Sequence, residues 1–267
     1  MTDSVSFTCL PNKGLSMNDF IQACITANEE IAHVIGNRID AALFEKTEVG
    51  AGGDVSSRLD LLAESIFVKH LSSFGEIESE ESGIIGSGDA KIILDPIDGS
   101  SNALSLFPYY GTSVARVNAE GILDAAVVCN LANGDIFFKV PQVPLQQGRL
   151  FSTLFQEVCG STASEIGIFE KAYANPALVA MLHGSGMKFR APGAIALSLA
   201  YAHSVSFVLF AGSFRIYDFA AGLALCEGLE VIVEQDYVIV SKDKIMVQQL
   251  ENIIQNLKAL EEEKNGI

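Results

Sequence analysis

The chain has 267 residues, of which 49% are hydrophobic, and its 33 acidic against 17 basic side chains give a formal net charge of −16. This length suits one large domain or two closely packed lobes, and the apolar content excludes a disordered chain. Nucleic-acid-binding proteins concentrate Lys and Arg, so the acidic balance argues against nucleic acid as a partner. If the ligand carries phosphate, metal cations must supply the missing positive field.

The five cysteines are widely spaced and form no Cys-x-x-Cys pair, which is typical of reduced residues in a cytosolic protein. The first residues show no basic segment followed by an apolar run, so no secretory signal is expected. Residues 194–212 lack formal charges, and we expect a buried helix followed by a buried strand there rather than a membrane span. The expectation is a cytoplasmic protein with no membrane partner.

The first third of the chain predicts two helices separated by a glycine-rich stretch. Apolar residues at helical spacing predict a helix over residues 17–36, capped by Ser16, and another that starts at Ser56 or Ser57 and ends near residue 71. Between them, residues 48–54 contain three glycines and predict a mobile loop. The acidic run at 75–83, taken alone, is more typical of a solvated loop than of a site.

A β-branched run at residues 92–94 predicts a buried strand that ends in the sequence D-P-I-D-G. Two carboxylates at a strand end, Asp95 and Asp98, followed by the backbone N–H groups of a helix start, suit a hard cation beside a phosphate. The alternative is an ordinary surface turn, which has the same composition. The pentapeptide alone does not decide between the two.

Strands and helices alternate over the remaining chain, which predicts a layered α/β (α+β) architecture. The further predicted strands are residues 112–117, 122–129, 135–140, 206–210, 231–234 and 237–240. Further helices are expected from about residue 193, over 218–228 and over 242–260, whereas 149–190 give no clear pattern. The proline-containing segment 141–148 predicts a linker between two lobes, an N-terminal one of residues 1–140 and a C-terminal one of 141–267.

Four acidic features stand at separate points of the chain, namely Asp60, Glu80-Glu81, the pair in D-P-I-D-G, and Asp218. Each has an alternative explanation; Asp218, for example, also suits a helix cap. Together, the motifs S-E-E-S (79–82), D-P-I-D-G-S-S-N (95–102) and Y-D-F-A-A-G (217–222) resemble the inositol monophosphatase and fructose-1,6-bisphosphatase superfamily over residues 17–228. The stretch 50–60 is similar to the archaeal-type dual-activity enzymes, which act on inositol monophosphate and on fructose 1,6-bisphosphate.

The resemblance implies a layered α-β-α-β-α sandwich and a site for two or three Mg²⁺ ions. Its implied metal ligands are all oxygens, from the side chains of Glu80, Asp95, Asp98 and Asp218 and the backbone carbonyl of Ile97. The implied phosphate-binding residues are Gly99, Ser100 and Ser101. The implied catalytic residues are Asp60 and Ser56, which would hold the attacking water, and Glu81, which would orient it. The implied contacts with the sugar or cyclitol ring are Arg190, Gly193 and Arg215.

The resemblance therefore implies a Mg²⁺-dependent phosphatase that acts on a small sugar or polyol phosphate and forms a homodimer. Ala211 stands where animal inositol enzymes carry a Glu that contacts inositol, so strict inositol specificity is not expected. Two alternatives stay open at this stage. One is a 3′-phosphoadenosine 5′-phosphate phosphatase, and the other is a non-catalytic member that works by binding a protein partner.

Overall fold

The computed structural model describes residues 17–37, 43, 45–53, 55–161 and 163–265. Its helices are α1 (Met17–Asn37), α2 (Arg58–Leu71), α3 (Ser100–Leu104), α4 (Pro176–Gly184), α5 (Ile195–Ala200), α6 (Ile216–Ala224) and α7 (Lys244–Asn265). Its first strands are β1 (Lys46–Val49), β2 (Val55–Ser57), β3 (Glu76–Ser79), β4 (Gly83–Ile85), β5 (Lys91–Asp98), β6 (Gly111–Val117), β7 (Leu123–Asn130) and β8 (Asp135–Lys139). The later strands are β9 (Gln146–Arg149), β10 (Phe155–Glu157), β11 (Ile166–Glu170), β12 (Lys188–Arg190), β13 (Val208–Ala211), β14 (Glu230–Val233) and β15 (Tyr237–Ser241).

An eight-stranded sheet in the order β10-β9-β8-β7-β6-β5-β3-β4 forms the larger layer. Its pairs are antiparallel except for β3 and β5, which run parallel. Helices α1 and α2 cover one face, because apolar residues at helical spacing in each helix are buried against the sheet. Phe20, Ile31 and Phe67 are among the fully buried residues of this core.

A five-stranded sheet in the order β12-β11-β13-β15-β14 forms the second layer. Helices α5 and α6 lie between the two sheets, where Ala196 and Leu197 pack on the larger sheet and Leu199 packs on the smaller one. Helices α4 and α7 cover the outer face of the smaller sheet. The fold is therefore the predicted α-β-α-β-α sandwich, and α5 carries no charge because both of its faces are buried.

Most predicted elements are confirmed. The helix predicted at 17–36 is α1, the one at 57–71 is α2, and the six further predicted strands are correct to within two residues at each end. Ser57 caps α2 and exchanges two hydrogen bonds with Asp60 in a capping box, whereas the predicted cap Ser16 lies outside the described residues. The uncharged stretch forms α5 and then β13, as expected.

Two alternative interpretations of acidic residues near the site are wrong, whereas the predicted mobility of the glycine-rich stretch stays a prediction. That stretch forms the turn of an antiparallel hairpin between β1 and β2, and the N–H groups of Ala51 and Gly52 donate to the carbonyls of Glu81 and Glu80. Asp54 lies outside the described residues. Within the acidic run, residues 76–79 form β3 and the next residue, Glu80, is buried, so this part of the run is not a solvated loop. Asp218 is the third residue of α6, so it does not cap that helix.

Segment boundaries also differ from the predictions. The segment 141–148 contains the start of β9, which returns to the larger sheet, and the change of sheet falls between β10 and β11. A lobe boundary at residue 140 stays a prediction. Helix α6 ends four residues earlier than expected, and α7 ends five residues later. Among the described residues, no helix combines the length and the apolar character needed to cross a bilayer.

Candidate active site

Three buried carboxylates converge at the centre of the molecule. Oxygen atoms of Glu80, Asp95 and Asp218 all lie within 4.8 Å of one another. Parallel pairing brings the first two together, because Ser79 is paired with Leu94 and Glu80 donates its N–H to the Leu94 carbonyl at 3.0 Å. Helix α6, packed between the sheets, supplies the third carboxylate.

Burial and like charges act together on this cluster. Burial raises the pKa of Asp95 well above its ordinary value, and the negative charges of Glu80, Asp98 and Asp218 raise it further. Three carboxylates at this separation are costly when ionised unless a cation lies among them. The cluster is therefore suited to bind positive charge.

Arg215 supplies part of that positive charge. Its guanidinium contacts Glu80 Oε1 at 2.6 Å and holds both oxygens of Asp218, at 3.0 and 3.1 Å. The Arg215 charge also opposes the rise in the Asp95 pKa. The predicted ring-contacting arginine is thus bound to two of the three clustered carboxylates.

Asp98 lies beside the cluster with a different set of partners. Its two carboxylate oxygens accept the N–H groups of Ile195 and Leu197, each at 2.9 Å, at the start of α5. Burial raises the Asp98 pKa well above its ordinary value, while these two N–H donors oppose the rise. The carboxylate thereby joins the D-P-I-D-G turn to the layer of helices between the sheets.

The turn after Asp98 presents backbone donors to the same space. Gly99 has φ +86, and a Cβ there would lie 3.0 Å from Ala194 Cβ and 3.2 Å from the Gly193 carbonyl oxygen, so both conformation and space require glycine. Ser100 begins α3, in which the N–H groups of Asn102 and Ala103 donate to the Gly99 carbonyl, while those of Ser100 and Ser101 have no partner within the helix. They are available to an anion.

Two hydrogen-bonded pairs, each of a carboxylate and a serine hydroxyl, lie beside the carboxylate cluster and the turn after Asp98. Ser100 Oγ is 2.8 Å from Asp60 Oδ1, and the Ser56 hydroxyl donates to Glu81. Burial raises the Glu81 pKa to about 7, the charges of Asp60 and Glu64 add to the rise, and the Ser56 hydroxyl opposes it. Ser100 Oγ also lies 2.9 Å from the Ile97 carbonyl oxygen.

The structure gathers nearly all of the predicted site residues around one cavity of about 470 Å³. Ser56 does not line this cavity but reaches it through Glu81. Arg190 is not brought to the cavity: it is exposed, donates to the Phe189 carbonyl and lines a separate cavity with Pro192 and Tyr201. Its predicted ring contact has no support from this geometry.

A family model described as the inositol monophosphatase family matches residues 20–234. The chain belongs to the inositol monophosphatase family. A fructose-1,6-bisphosphatase/inositol-1-monophosphatase of Methanothermobacter thermautotrophicus is 30% identical over 206 residues, which cover 68% of this chain and 72% of that protein. The predicted superfamily and its archaeal-type branch are confirmed.

Other members of the inositol monophosphatase family differ in length and in name. A bifunctional NADP phosphatase/NAD kinase of Methanocaldococcus jannaschii is 26% identical over 231 residues, which cover 72% of this chain. The match spans only 40% of that relative's length. Among solved structures, an IMPase of Thermotoga maritima has a TM-score of 0.73 and 20% identity, covering 90% of this chain and 99% of its own, which confirms the fold.

Among the residues that line this cavity and were not predicted from the sequence, Glu170, Lys171 and Tyr173 lie at or just after the end of β11. Buried Glu170 ends β11 and accepts the N–H of Gly193 at 3.0 Å and the Ser198 hydroxyl at 2.5 Å. Burial raises its pKa, and these donors oppose the rise. No local motif marks these residues, because their position at the cavity follows from where β11 lies in the sheet.

Proposed function

We propose that this protein is a Mg²⁺-dependent phosphatase that hydrolyses a phosphate monoester of a small sugar or polyol, with inositol monophosphate and fructose 1,6-bisphosphate as its leading substrates. One observation carries the proposal. In a single cavity, the buried carboxylates of Glu80, Asp95 and Asp218 lie beside a turn that begins a helix with unpaired N–H donors. A cation and a phosphate are the ligands that such neighbours bind together.

The donor set fits Mg²⁺. Every proposed ligand atom is an oxygen, and an oxygen-only set suits Mg²⁺ better than the nitrogen and sulfur donors that zinc prefers. The family is generally metal-dependent. We assign the side chains of Glu80, Asp95, Asp98 and Asp218 and the carbonyl of Ile97 to two or three ions. The N–H bonds to Asp98 leave lone pairs on both of its oxygens for this purpose.

When bound, Mg²⁺ offsets the charge of the phosphate dianion, lowers the pKa of water and stabilises the departing alkoxide. The chain's own residues position the reactants. The N–H groups of Gly99, Ser100 and Ser101 and the Ser101 hydroxyl bind phosphate oxygens, since the first N–H groups of α3 have no partner within that helix, while the Ser100 hydroxyl donates to Asp60. This placement holds the phosphorus in a fixed orientation before attack.

Asp60 and Glu81 hold the attacking water in this proposal. Asp60 is itself fixed by Ser57 N–H at 2.6 Å and by Ser100 Oγ at 2.8 Å, so its carboxylate cannot rotate away. Ser56 fixes the Glu81 carboxylate in the same manner. Two oriented carboxylates facing the phosphate-binding turn accept hydrogen bonds from water and align it with the phosphorus.

The experiment is orthophosphate release from purified protein, with Mg²⁺ and with EDTA. The panel contains inositol 1-phosphate, fructose 1,6-bisphosphate, 3′-phosphoadenosine 5′-phosphate and NADP, and the highest kcat/KM identifies the substrate class. We expect release that requires Mg²⁺ and is highest with a sugar or polyol phosphate. If no member of the panel releases phosphate, the protein is not this enzyme and the partner-binding alternative takes precedence.

We also propose a homodimer located in the cytoplasm, as the family resemblance implies. Sedimentation velocity at micromolar concentration tests the first part. A monomer of 28.5 kDa at all concentrations would exclude the dimer.

A further inference from the structure

The cavity wall holds a cation that has no carboxylate partner among the residues described by the structure. Lys171 and Arg215 are the two basic residues that line the cavity among the described residues. Arg215 is bound to Glu80 and Asp218, whereas the Lys171 ammonium has no ion pair or hydrogen bond to any other residue that the structure describes. Its ammonium lies 5.2 Å from the centroid of the Phe210 ring, which is a weak cation–π contact. Lys171 is therefore the cation that remains available to a ligand.

The backbone at Lys171 is held in an unusual conformation. Its φ is +58, in the left-handed region that side chains other than glycine rarely adopt. Two hydrogen bonds to its carbonyl, from the N–H of Ala174 and the side-chain amide of Asn175, each 3.0 Å long, fix this conformation. Strain of this kind persists where the surrounding structure enforces it, and it is concentrated at ligand sites.

The position of Lys171 in the chain also matters. It directly follows Glu170, whose carboxylate is bound to Gly193 and Ser198, so the start of the turn is anchored to α5. Tyr173 completes the turn and is 84% exposed on the wall of the same cavity. An ammonium and a phenol hydroxyl on one rigid turn give two donors, and an unpaired, half-buried ammonium favours an anionic acceptor.

We propose that Lys171 and Tyr173 form a subsite for a second phosphate group of the substrate, apart from the group that is hydrolysed. The inference rests on the proposed function and deepens it: the preferred substrate class carries two phosphate-type anions. The bound metal ions and the α3 turn receive the first phosphate, and Arg215 is engaged by carboxylates. Lys171 is the cation left to bind the second one.

The test compares a substrate with two phosphates and a substrate with one. In Lys171→Met, kcat/KM for fructose 1,6-bisphosphate should fall about 10- to 100-fold, mainly through KM, which is the effect of losing a hydrogen bond to a charged group. For inositol 1-phosphate, kcat/KM should change less than about twofold, because a surface charge removed without a ligand partner has little effect. Lys171→Arg should restore most of the loss, and added salt should reduce the wild-type preference.

Two further variants make the result specific. Lys171→Asn places at this position a residue that tolerates a left-handed backbone, so the variant should fold normally. We expect it to lose the preference for the bisphosphate, and this loss would then not be caused by misfolding. Lys188→Met removes an exposed lysine that pairs with Glu165 away from the cavity, and it should leave both substrates unaffected. An NADP arm distinguishes the source of the second anion, since a dinucleotide offers a pyrophosphate instead of a sugar phosphate.

Equal loss for both substrates, or no loss for either, would overturn the subsite. The same holds if Lys171→Asn retains the wild-type selectivity. If the wild-type protein hydrolyses inositol 1-phosphate and the Lys171 variants give one of these results, the proposed function stands and only the subsite is refuted. A wild-type protein that hydrolyses neither substrate removes the proposed function itself.

Discussion

Glu80 and Glu81 are neighbours in the chain, yet their carboxylates have different partners. Glu80 is buried, belongs to the three-carboxylate cluster and pairs with Arg215. Glu81 is partly buried, accepts the Ser56 hydroxyl and has its pKa raised to about 7. Both residues directly follow strand β3, in which successive side chains point in opposite directions, and their two carboxylates reach different parts of the site. One motif, S-E-E-S, thus serves two proposed roles.

At the residue scale, Asp60→Asn tests the separation between metal binding and water activation. Asparagine keeps an oxygen for the Ser57 N–H, and its NH2 group can donate to the Ser100 hydroxyl in place of accepting from it, so the fold should be unaffected while the charge is lost. Because Asp60 lies outside the carboxylate cluster, calorimetry should show tight Mg²⁺ binding as in wild type. We expect kcat to fall about 10²- to 10⁴-fold, the usual contribution of a positioned general base.

The matched variant is Asp98→Asn, which removes charge from a proposed metal ligand. It should abolish turnover and weaken Mg²⁺ binding together. Loss of the tight Mg²⁺ site in the Asp60 variant instead, or near-wild-type turnover in the Asp98 variant, would contradict these assignments.

At the scale of elements, the site is assembled from segments that end at the same place. The β1–β2 hairpin, the end of β3, the D-P-I-D-G turn and α6 each contribute one part. The hairpin is joined to the others by backbone bonds from Ala51 and Gly52 to Glu81 and Glu80. These backbone bonds, together with the Ser56 hydroxyl bond to Glu81, connect the hairpin to the segment that carries Glu80.

Gly52→Ala tests that junction. A Cβ at Gly52 would lie 2.5 Å from Glu80 Cγ and 3.0 Å from Glu80 Oε1, so the Glu80 side chain must leave its position or the hairpin must shift away from it. Because a displacement of about 1 Å costs on the order of 100-fold in rate, we expect a large fall in kcat/KM and weaker Mg²⁺ binding. Steady-state kinetics and calorimetry measure both.

The control for that variant is Gly36→Ala in α1, where nothing lies within 4 Å of the added Cβ. Alanine favours a helix there, so stability should rise slightly and activity should not change. Wild-type kinetics in Gly52→Ala would show that the hairpin does not determine the position of Glu80.

For the whole molecule, the buried carboxylates couple metal binding to stability. A cation that binds the folded cluster but not the unfolded chain stabilises the fold by about 2.7 kcal/mol at a concentration of 100 Kd. For a chain of this size, that corresponds to a rise in Tm of roughly 5 °C on adding Mg²⁺, reversed by EDTA. Calorimetry against NaCl of equal ionic strength measures the specific part.

Arg215→Met sharpens this prediction, because it removes the internal cation that pairs with Glu80 and Asp218. The metal-free variant should melt at a lower temperature than wild type, and its Mg²⁺-dependent rise in Tm should be larger. No Mg²⁺-dependent shift in either protein would contradict a metal site at the cluster.

The sequence by itself determined the local elements and the motifs. Helical spacing located α1 and α2, β-branched runs located the strands, and the D-P-I-D-G turn marked a carboxylate pair, since each depends on residues close in the chain. The resemblance added the layered fold, which the structure and the family match confirm. It also supplied most of the cavity residues, although their roles stay predictions.

Only the tertiary structure decided which of the predicted residues meet. It excluded Arg190 from the cavity, bound Arg215 to Glu80 and Asp218, and brought Lys171 to the wall. These outcomes depend on sheet order and on the packing of α5 and α6 between two sheets, which joins residues more than a hundred positions apart. Local patterns carry no information on such contacts, because side-chain partners follow from how whole layers pack.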